Sequence, residues 1–173
     1  MNQNMGKFQR SIGVLLLGLI VPSLAVALPE DRKQPLYLRA NKADINQAKH
    51  KGIYSGDVEL DQGSSHLRAA SAITVGDDNN KLIKAIAKGD AHTQAHFWCD
   101  VAANKPVLHA YADKIYYYPN KHIIELEGKA TVSQGDNTFQ APKILYNIEK
   151  QHVITQRSGN QRTSITIYPE KTQ

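Results

Sequence analysis

One sequence pattern occurs twice in this chain, and this duplication limits the folds that the chain can adopt. The segment 54–75, YSGDVELDQGSSHLRAASAITV, is matched by the segment 126–146, LEGKATVSQGDNTFQAPKILY, with Gly56 aligned to Gly128. In each copy apolar and polar residues alternate, reach a Gln-Gly pair and then alternate again. This pattern is typical of two antiparallel strands joined by a short polar turn. The chain is therefore predicted to be built on two similar β-hairpins.

The second half of the chain also repeats the beginning of the first half. Residues 107–115, VLHAYADKI, resemble residues 36–45, LYLRANKADI, with Arg39 aligned to His109. No segment of the mature chain has a convincing helical period, and the closest candidate for a helical turn is 41–49. The sequence predicts an all-β domain of about fourteen to sixteen short antiparallel strands in two similar halves, closed as a barrel or stacked as a sandwich or jelly roll.

The segment 1–27 has the features of a cleaved signal peptide. Lys7 and Arg10 precede the apolar run 12–21, and the Ala-Val-Ala sequence at 25–27 fits a cleavage site. The alternative is a retained membrane anchor. The apolar stretch up to Leu28 has only seventeen residues, however, whereas roughly 20 are needed to span a bilayer. We predict that the chain is exported and that this segment is cleaved off.

The mature chain is predicted to hold a flexible lead-in (28–34), one domain (35–168) and a flexible tail (169–173). Removing the leader takes away two positive charges and no negative one, so the formal net charge falls from +5 to +3. The remaining charges are scattered, which excludes the basic footprint that nucleic-acid binding requires. Cys99 is the only cysteine, so no intramolecular disulfide can form, and we expect it to be a small core residue.

The sequence lacks the motifs of an enzyme or of a metal protein. It contains no nucleophile elbow, no P-loop and no H-E-x-x-H zinc motif. The one group of metal-binding residue types is His92, His96 and Cys99. Side chains alternate along a strand, so the two histidines would share one face and Cys99 would point to the other, which argues against zinc. We expect a protein that is not an enzyme and that holds no metal and no cofactor.

An apolar face runs through the predicted strands. It is either the sealed core between two sheets or the wall of a groove that holds a lipid, and periodicity alone does not distinguish the two. The residues predicted to form this face, and the groove if one exists, are Leu36, Leu38, Tyr54, Val58, Leu60, Leu67, Leu126, Val132 and Phe139.

The order and spacing of these motifs resemble those of a known family. Gln34–Leu38 (QPLYL), Tyr54–Val58 (YSGDV) and the repeat Leu126–Ala130 (LEGKA) are similar to the LptA/OstA-like family of periplasmic lipopolysaccharide-transport bridge proteins. The similarity extends over residues 34–168, nearly the whole mature chain. The second strands of the two hairpins contain Ala-Ala-Ser and Ala-Pro-Lys where the family often has Ala-Asp-Lys or Gly-Asp-Lys.

The resemblance implies a twisted, slightly open β-jelly roll. It implies that copies stack end to end between an inner-membrane lipopolysaccharide transporter complex and an outer-membrane lipopolysaccharide translocon. It also implies that lipopolysaccharide moves through a continuous groove, with the acyl chains of lipid A inside. Leu36 and Leu38 match groove positions near the N-terminal edge, whereas no aromatic residue stands at the matching position near Thr93.

On this interpretation, two further sets of residues have a role. Phosphorylated headgroups favour Lys or Arg at the rim of the groove, and the candidates are Arg39, Arg68, Lys81, Lys84 and Lys143. End-to-end joining would use strand addition at exposed sheet edges, and the predicted edge residues are Leu36, Tyr37, Leu38, Arg39, Thr163, Ile165 and Ile167. Two alternatives stay open: a periplasmic interaction module whose apolar face is only core, and a membrane-anchored C component of the same pathway.

Overall fold

The computed structural model describes residues 34–147, 150, 152–157, 159–160 and 162–168, and the predicted signal peptide and tail lie outside these residues. Within them, twelve strands form one antiparallel sheet, so the all-β prediction is confirmed. The strands are β1 (Tyr37–Arg39), β2 (Lys42–Asn46), β3 (Lys51–Gln62), β4 (Ser65–Gly76), β5 (Leu82–Lys88), β6 (Ala95–Cys99), β7 (Leu108–Ala112), β8 (Lys114–Tyr118), β9 (Ile123–Gln134), β10 (Asn137–Asn147), β11 (His152–Gln156) and β12 (Ser164–Thr166).

The sheet folds back on itself into two facing layers because its four longest strands belong to both. β3 pairs with β4, and β9 with β10, along both halves of each strand, whereas the outer neighbour of each strand differs between its two halves. Layer A has the order β2-β3-β4-β5-β8-β9-β10-β11, and layer B has the order β1-β3-β4-β6-β7-β9-β10-β12. Each layer therefore contains eight strand segments. The prediction of about fourteen to sixteen short strands agrees with the total number of these segments rather than with the twelve strands.

The long strands leave one layer and enter the other at bulges with positive φ angles. In β3, Gly56 and Asp57 have φ angles of 76° and 45°, and the pairing with β4 skips both residues. In β9, Gly128 and Lys129 have φ angles of 82° and 47° at the corresponding skip. Glycine reaches this region without steric cost, and the extra residues bend the strand. Pro142 lies opposite the second bulge, where a missing N–H removes no ladder bond.

The two halves are equivalent at one constant offset, the offset that relates Gly56 to Gly128. The Asn41 N–H donates to the Gly56 carbonyl at 2.8 Å, and the Asp113 N–H donates to the Gly128 carbonyl at 2.9 Å. At this offset the counterpart of Arg39 is Tyr111, so the sequence-based alignment of Arg39 with His109 is wrong by two residues. An alternating pattern looks the same after a shift of two, so periodicity could not detect this error.

The described residues include two short 3₁₀ helices, and the first lies within 41–49, the segment that the sequence offered as the closest candidate for a helical turn. They span Gln47–Lys49 and Pro119–Lys121. Each ends at a histidine in the left-handed conformation, His50 with φ 47° and His122 with φ 54°. The Asn46 side chain caps the first helix by accepting the Lys49 N–H at 3.0 Å. The two histidines are related by the same offset as the two bulges, so the duplication includes the turns.

The core lies between the layers, and small residues fill its middle. The buried cluster consists of Ala87, Ala95, Ala110, Ala112, Ala130, Ala141, Ile115, Ile124, Leu126 and Ile144. Leu126 and Ile144 are 1% and 0% exposed, and burying each such side chain contributes about 1.5–3 kcal/mol. An alanine side chain is a single methyl group and fills little of the space between the layers. The spaces on either side of the alanines are therefore bordered by larger residues.

Gly128→Ala is expected to lower the free energy of unfolding by about 1–3 kcal/mol, because φ at this position is left-handed and a Cβ would lie 2.8 Å from Asp113 Cβ. Urea unfolding measures the change. Gly159→Ala is the matched control, since Gly159 also has a positive φ but nothing lies within 4 Å of its Cβ position. Equal losses at the two positions would contradict the role of the Asp113 contact.

Candidate functional site

The interior between the layers has one closed side and one side bordered by turns. The links that cross between layers, at 40–41, 89–94 and 113, lie on the same side as the strand bends. On the other side layer A ends in the turns 47–50, 76–81 and 119–122, which we call lip A. Layer B ends there in the turns 63–64, 100–107 and 135–136, which we call lip B. The interior therefore has a seam along one side and the two lips along the other, and we call the space between the layers the groove.

Three cavities lie in a row along this groove. The first has a volume of about 270 Å³, and Leu36, Leu38 and Tyr54 line it at the end formed by β1 and β2. The second has about 30 Å³, shares Leu38 with the first and is also lined by Leu60. The third has about 220 Å³ and is lined by residues that include Phe139, near the other end. Apolar side chains therefore follow the interior from one end of the sheet to the other.

All nine residues predicted to form the apolar face lie on the walls of these cavities: Leu36, Leu38, Tyr54, Val58, Leu60, Leu67, Leu126, Val132 and Phe139. Other residues on these walls, among them Leu108 and Tyr117, were not predicted from the sequence. By the repeat these two are the counterparts of Leu36 and Ile45, which line the first cavity. The repeat at its correct spacing would have identified both.

The first cavity depends on a glycine. Gly52 is buried, and a Cβ at this position would overlap the Tyr54 hydroxyl and would lie 2.7 Å from Thr74 Oγ1. The Tyr54 side chain therefore occupies the space that a side chain at position 52 would fill. In the second half the corresponding residues are Ile124 and Leu126, both buried. The first half has a large side chain at only one position of this pair, whereas the second half has one at both, so the two ends of the groove have different walls.

Three of the predicted rim cations are ion-paired on the outward faces of the layers. Arg39 and Arg68 both contact Glu59, at 3.2 Å each, and Lys143 pairs with Glu125. Arg39 and Arg68 each follow a residue that faces the interior, and Lys143 precedes one. Because side chains alternate along a strand, all three cations point to the opposite, outward face. The structure therefore does not support these three as rim residues.

The other two predicted rim cations lie closer to the groove opening. Lys81 is in the 76–81 turn and so on lip A itself. Lys84 is near the start of β5 on the outward face, with its Nζ 5.5 Å from the ring centre of Tyr116 and 5.6 Å from that of Tyr118. The sequence could not separate these two from the paired cations, because the pairing is between strands far apart in sequence.

The sheet is open at both ends, and the predicted assembly residues lie at two of its four edges. β1 pairs only with β3, and β12 pairs only with β10, within the described residues. Tyr37, Ile165 and Ile167 are 64%, 54% and 67% exposed. β12 is shorter than the predicted strand, so Thr163 and Ile167 flank it. β2 was not predicted as an edge strand, although it forms an edge of layer A and all five of its residues are exposed.

The predicted strand through His92 begins later than expected. His92 lies in the 89–94 link, where its N–H donates to Asp90 Oδ1 at 2.8 Å, and Thr93 lies in the same link at the seam. His96 is on the outward face of β6, whereas Cys99 is buried. Among the described residues, no group of three or more His, Cys, Asp or Glu side chains is placed to hold a metal ion.

His96 instead belongs to a row of stacked rings on the outward face of layer B. Its ring lies between Trp98, at a centroid distance of 4.6 Å, and Tyr111, at 4.1 Å, and its Nε2 is 3.0 Å from Nδ1 of His109. Burial by these rings, with smaller contributions from His109 and Arg68, lowers the pKa of His96 to about 4. The imidazole is therefore neutral at neutral pH.

Comparison with known proteins identifies the family. The profile of "LptA/(LptD N-terminal domain) LPS transport protein" matches residues 37–152. The chain is 34% identical over 156 residues to the lipopolysaccharide export system protein LptH of Pseudomonas aeruginosa, covering 86% of this chain and 87% of that protein. It is 23% identical to LptA of Haemophilus influenzae, covering 90% of this chain and 89% of that protein.

A solved structure agrees with these matches. The crystal structure of LptH, described as the LptA homologous periplasmic component of the conserved lipopolysaccharide transport device from P. aeruginosa, matches with a TM-score of 0.74 and 29% identity. The match covers 82% of this chain and 100% of that chain.

The fold and the cavities together define a β-jelly roll with an apolar groove. The chain belongs to the LptA/LptD N-terminal domain family of lipopolysaccharide transport proteins, and the resemblance seen in the sequence is confirmed. No helix in the described ranges is long and apolar enough to cross a membrane.

The free energy of unfolding is expected to fall as the pH is lowered from about 6.5 to about 4, because the unfolded chain binds a proton at His96 before the folded chain does. Above this window the contribution of His96 is constant. Urea unfolding at pH 7.5 and at pH 5 measures the difference, and His96→Gln should reduce it. His152→Gln, at an exposed position of β11, is the control. An unchanged pH dependence in His96→Gln would refute this assignment.

Proposed function

We propose that this protein is a periplasmic carrier that holds lipopolysaccharide by the lipid A acyl chains in its groove. The observation that carries the proposal is the row of three cavities, which runs the length of the sheet beneath two lips. Their inner walls are apolar, and polar residues line the first cavity where it meets lip A. Exposing one methylene group to water costs about 0.8 kcal/mol, so acyl chains need a continuous apolar path between membranes. A groove with open lips lets the sugar portion stay in water while the chains are covered.

The carrier needs no catalytic group, and family membership agrees with a protein that transports rather than reacts. We propose export by a cleaved signal peptide and a position between an inner-membrane lipopolysaccharide transporter complex and an outer-membrane lipopolysaccharide translocon. The chain would bridge them as several copies joined end to end.

The junction between the two halves of the chain supports end-to-end joining. Inside the chain, β5 pairs with β8 in layer A, and β6 pairs with β7 in layer B, both antiparallel. By the repeat, β2 and β1 correspond to β8 and β7. At the other end of the chain, β10 is the counterpart of β4. It pairs with β11 and β12 in the same way as β4 pairs with β5 and β6. A second copy can therefore pair β11 with β2 and β12 with β1 in the same geometry, extending both walls of the groove.

A photoreactive residue at position 36 is expected to crosslink to lipopolysaccharide in exporting cells, because Leu36 lines the first cavity. The matched control is position 37, where Tyr37 is the next residue and points to the other face. Detection of the lipid on the ultraviolet-dependent adduct is the measurement. If positions 36, 60 and 139 all fail to give an adduct, the apolar face is sealed core, and the protein is an interaction module instead.

Tyr37→Pro combined with Ile165→Pro is expected to abolish concentration-dependent oligomers, because proline removes a backbone donor at each edge of layer B. Light scattering over a concentration series measures assembly, and circular dichroism checks the fold. The control is Tyr37→Thr with Ile165→Thr, which changes the same side chains but keeps both N–H groups. Oligomers that persist in the proline variant, or that disappear equally in the threonine variant, would show that the backbone edges of layer B do not hold the copies together.

A further inference from the structure

Two lysines meet around one tyrosine at the middle of lip A. Tyr118 is the last residue of β8, and Lys121 lies in the 3₁₀ helix that follows. The Nζ atoms of Lys84 and Lys121 are each 5.6 Å from the centre of the Tyr118 ring. Such contacts are favourable individually, since the ring face attracts a cation. The two ammonium groups are therefore at most about 11 Å apart. Lys81 lies in the turn that precedes β5.

These cations have no carboxylate partner among the described residues, in contrast to Arg39, Arg68 and Lys143. The acidic side chains near these lysines contact other groups. Asp77 Oδ1 accepts the N–H groups of Asn79 and Lys81, at 3.0 and 2.9 Å. Asp78 is directed to His50, at 4.0 Å. Glu125 pairs with Lys143, and Glu127 is the hydrogen-bond partner of Tyr116. Together, lip A and Lys84 contain four lysines (Lys49, Lys81, Lys84 and Lys121) and two aspartates (Asp77 and Asp78), so this region has a net positive formal charge.

A phosphate monoester has the charge and the geometry to complete this arrangement. It carries between one and two negative charges at neutral pH and accepts several charge-assisted hydrogen bonds, which Lys ammonium groups and a Tyr hydroxyl can donate. Tyr117, the residue before Tyr118, lines the second cavity. The end of β8 therefore has the apolar groove on one face and the two lysines on the other, at the lip where a headgroup leaves the interior.

We propose that Lys84, Tyr118 and Lys121 form a binding site for a phosphate group of the carried lipid, with Lys81 beside it. This inference rests on the proposed function, because the groove delivers the headgroup to the lip. The site acts on the polar part of the lipid and adds affinity that is sensitive to salt, whereas the cavities act on the acyl chains. It distinguishes phosphorylated lipid from lipid of the same chain composition that lacks phosphate.

The test compares the binding of lipid A with that of enzymatically dephosphorylated lipid A to the full mature chain. Wild-type protein is expected to prefer the phosphorylated form by about tenfold, equivalent to about 1.4 kcal/mol. Lys84→Gln combined with Lys121→Gln should reduce this ratio to near one and leave the affinity for dephosphorylated lipid unchanged. Tyr118→Leu should also reduce the ratio, because it removes the ring that gathers the lysines, whereas Tyr118→Phe should retain most of it.

Lys129→Gln, at the seam, is the matched charge control and should behave like wild type. A preference for phosphorylated lipid that survives in the double variant would overturn the proposal. A second arm titrates inorganic phosphate and follows the Tyr118 ring by NMR. Perturbation by phosphate without any preference among lipids would identify a free-phosphate site and overturn the assignment to the lipid. If neither lipid binds wild-type protein, the groove proposal fails, and the phosphate arm still tests the site.

Discussion

The structure depends on the bends of its four long strands. A continuous strand cannot pair within two facing layers unless it turns sharply between them, and the turn here requires residues at positive φ. Gly56 and Gly128 supply this conformation, and the residues after them share it. Because the bends and the links between layers all lie on one side, backbone hydrogen bonds hold that side closed. Among the residues that the structure describes, the opposite side contains only turns within each layer, so no ladder pairing there closes it.

This arrangement separates stability from the groove. The middle of the interior is filled by alanines and by a few fully buried side chains such as Leu126 and Ile144, which hold the layers together where they are closest. The larger spaces lie on either side of this packing. Their walls are still apolar, because alternation along each strand continues beyond the tightly packed region. One sequence rule thus produces both the core and the groove, which explains why periodicity alone could not separate them.

The sequence predicted the parts of this protein that depend on local alternation. The two hairpins, their Gln-Gly turns and the nine inward residues follow directly from the period of two. It did not predict features that depend on which strands become neighbours. Arg39, Arg68 and Lys143 look like free cations in the sequence, and only the register brings them to Glu59 and Glu125. The error of two residues in aligning the halves has the same origin, since a strand pattern carries no information about even shifts.

The duplication also relates the strand pairing inside one chain to the strand pairing proposed between chains. The junction of the two halves shows that a unit ending in β5 and β6 can accept a unit beginning with β7 and β8, with both layers paired. The ends of the chain offer the same two kinds of strand as exposed edges. On the proposed assembly each added copy would continue both walls and both lips, so the groove would lengthen without a new type of interface.

The turns of lip A recur with the repeat, with Lys49-His50 in one half and Lys121-His122 in the other. Tyr118 has no aromatic counterpart, because the matching residue is the helix cap Asn46. A phosphate site built on Tyr118 would therefore occur once per chain, at a fixed interval along a groove whose apolar walls are continuous.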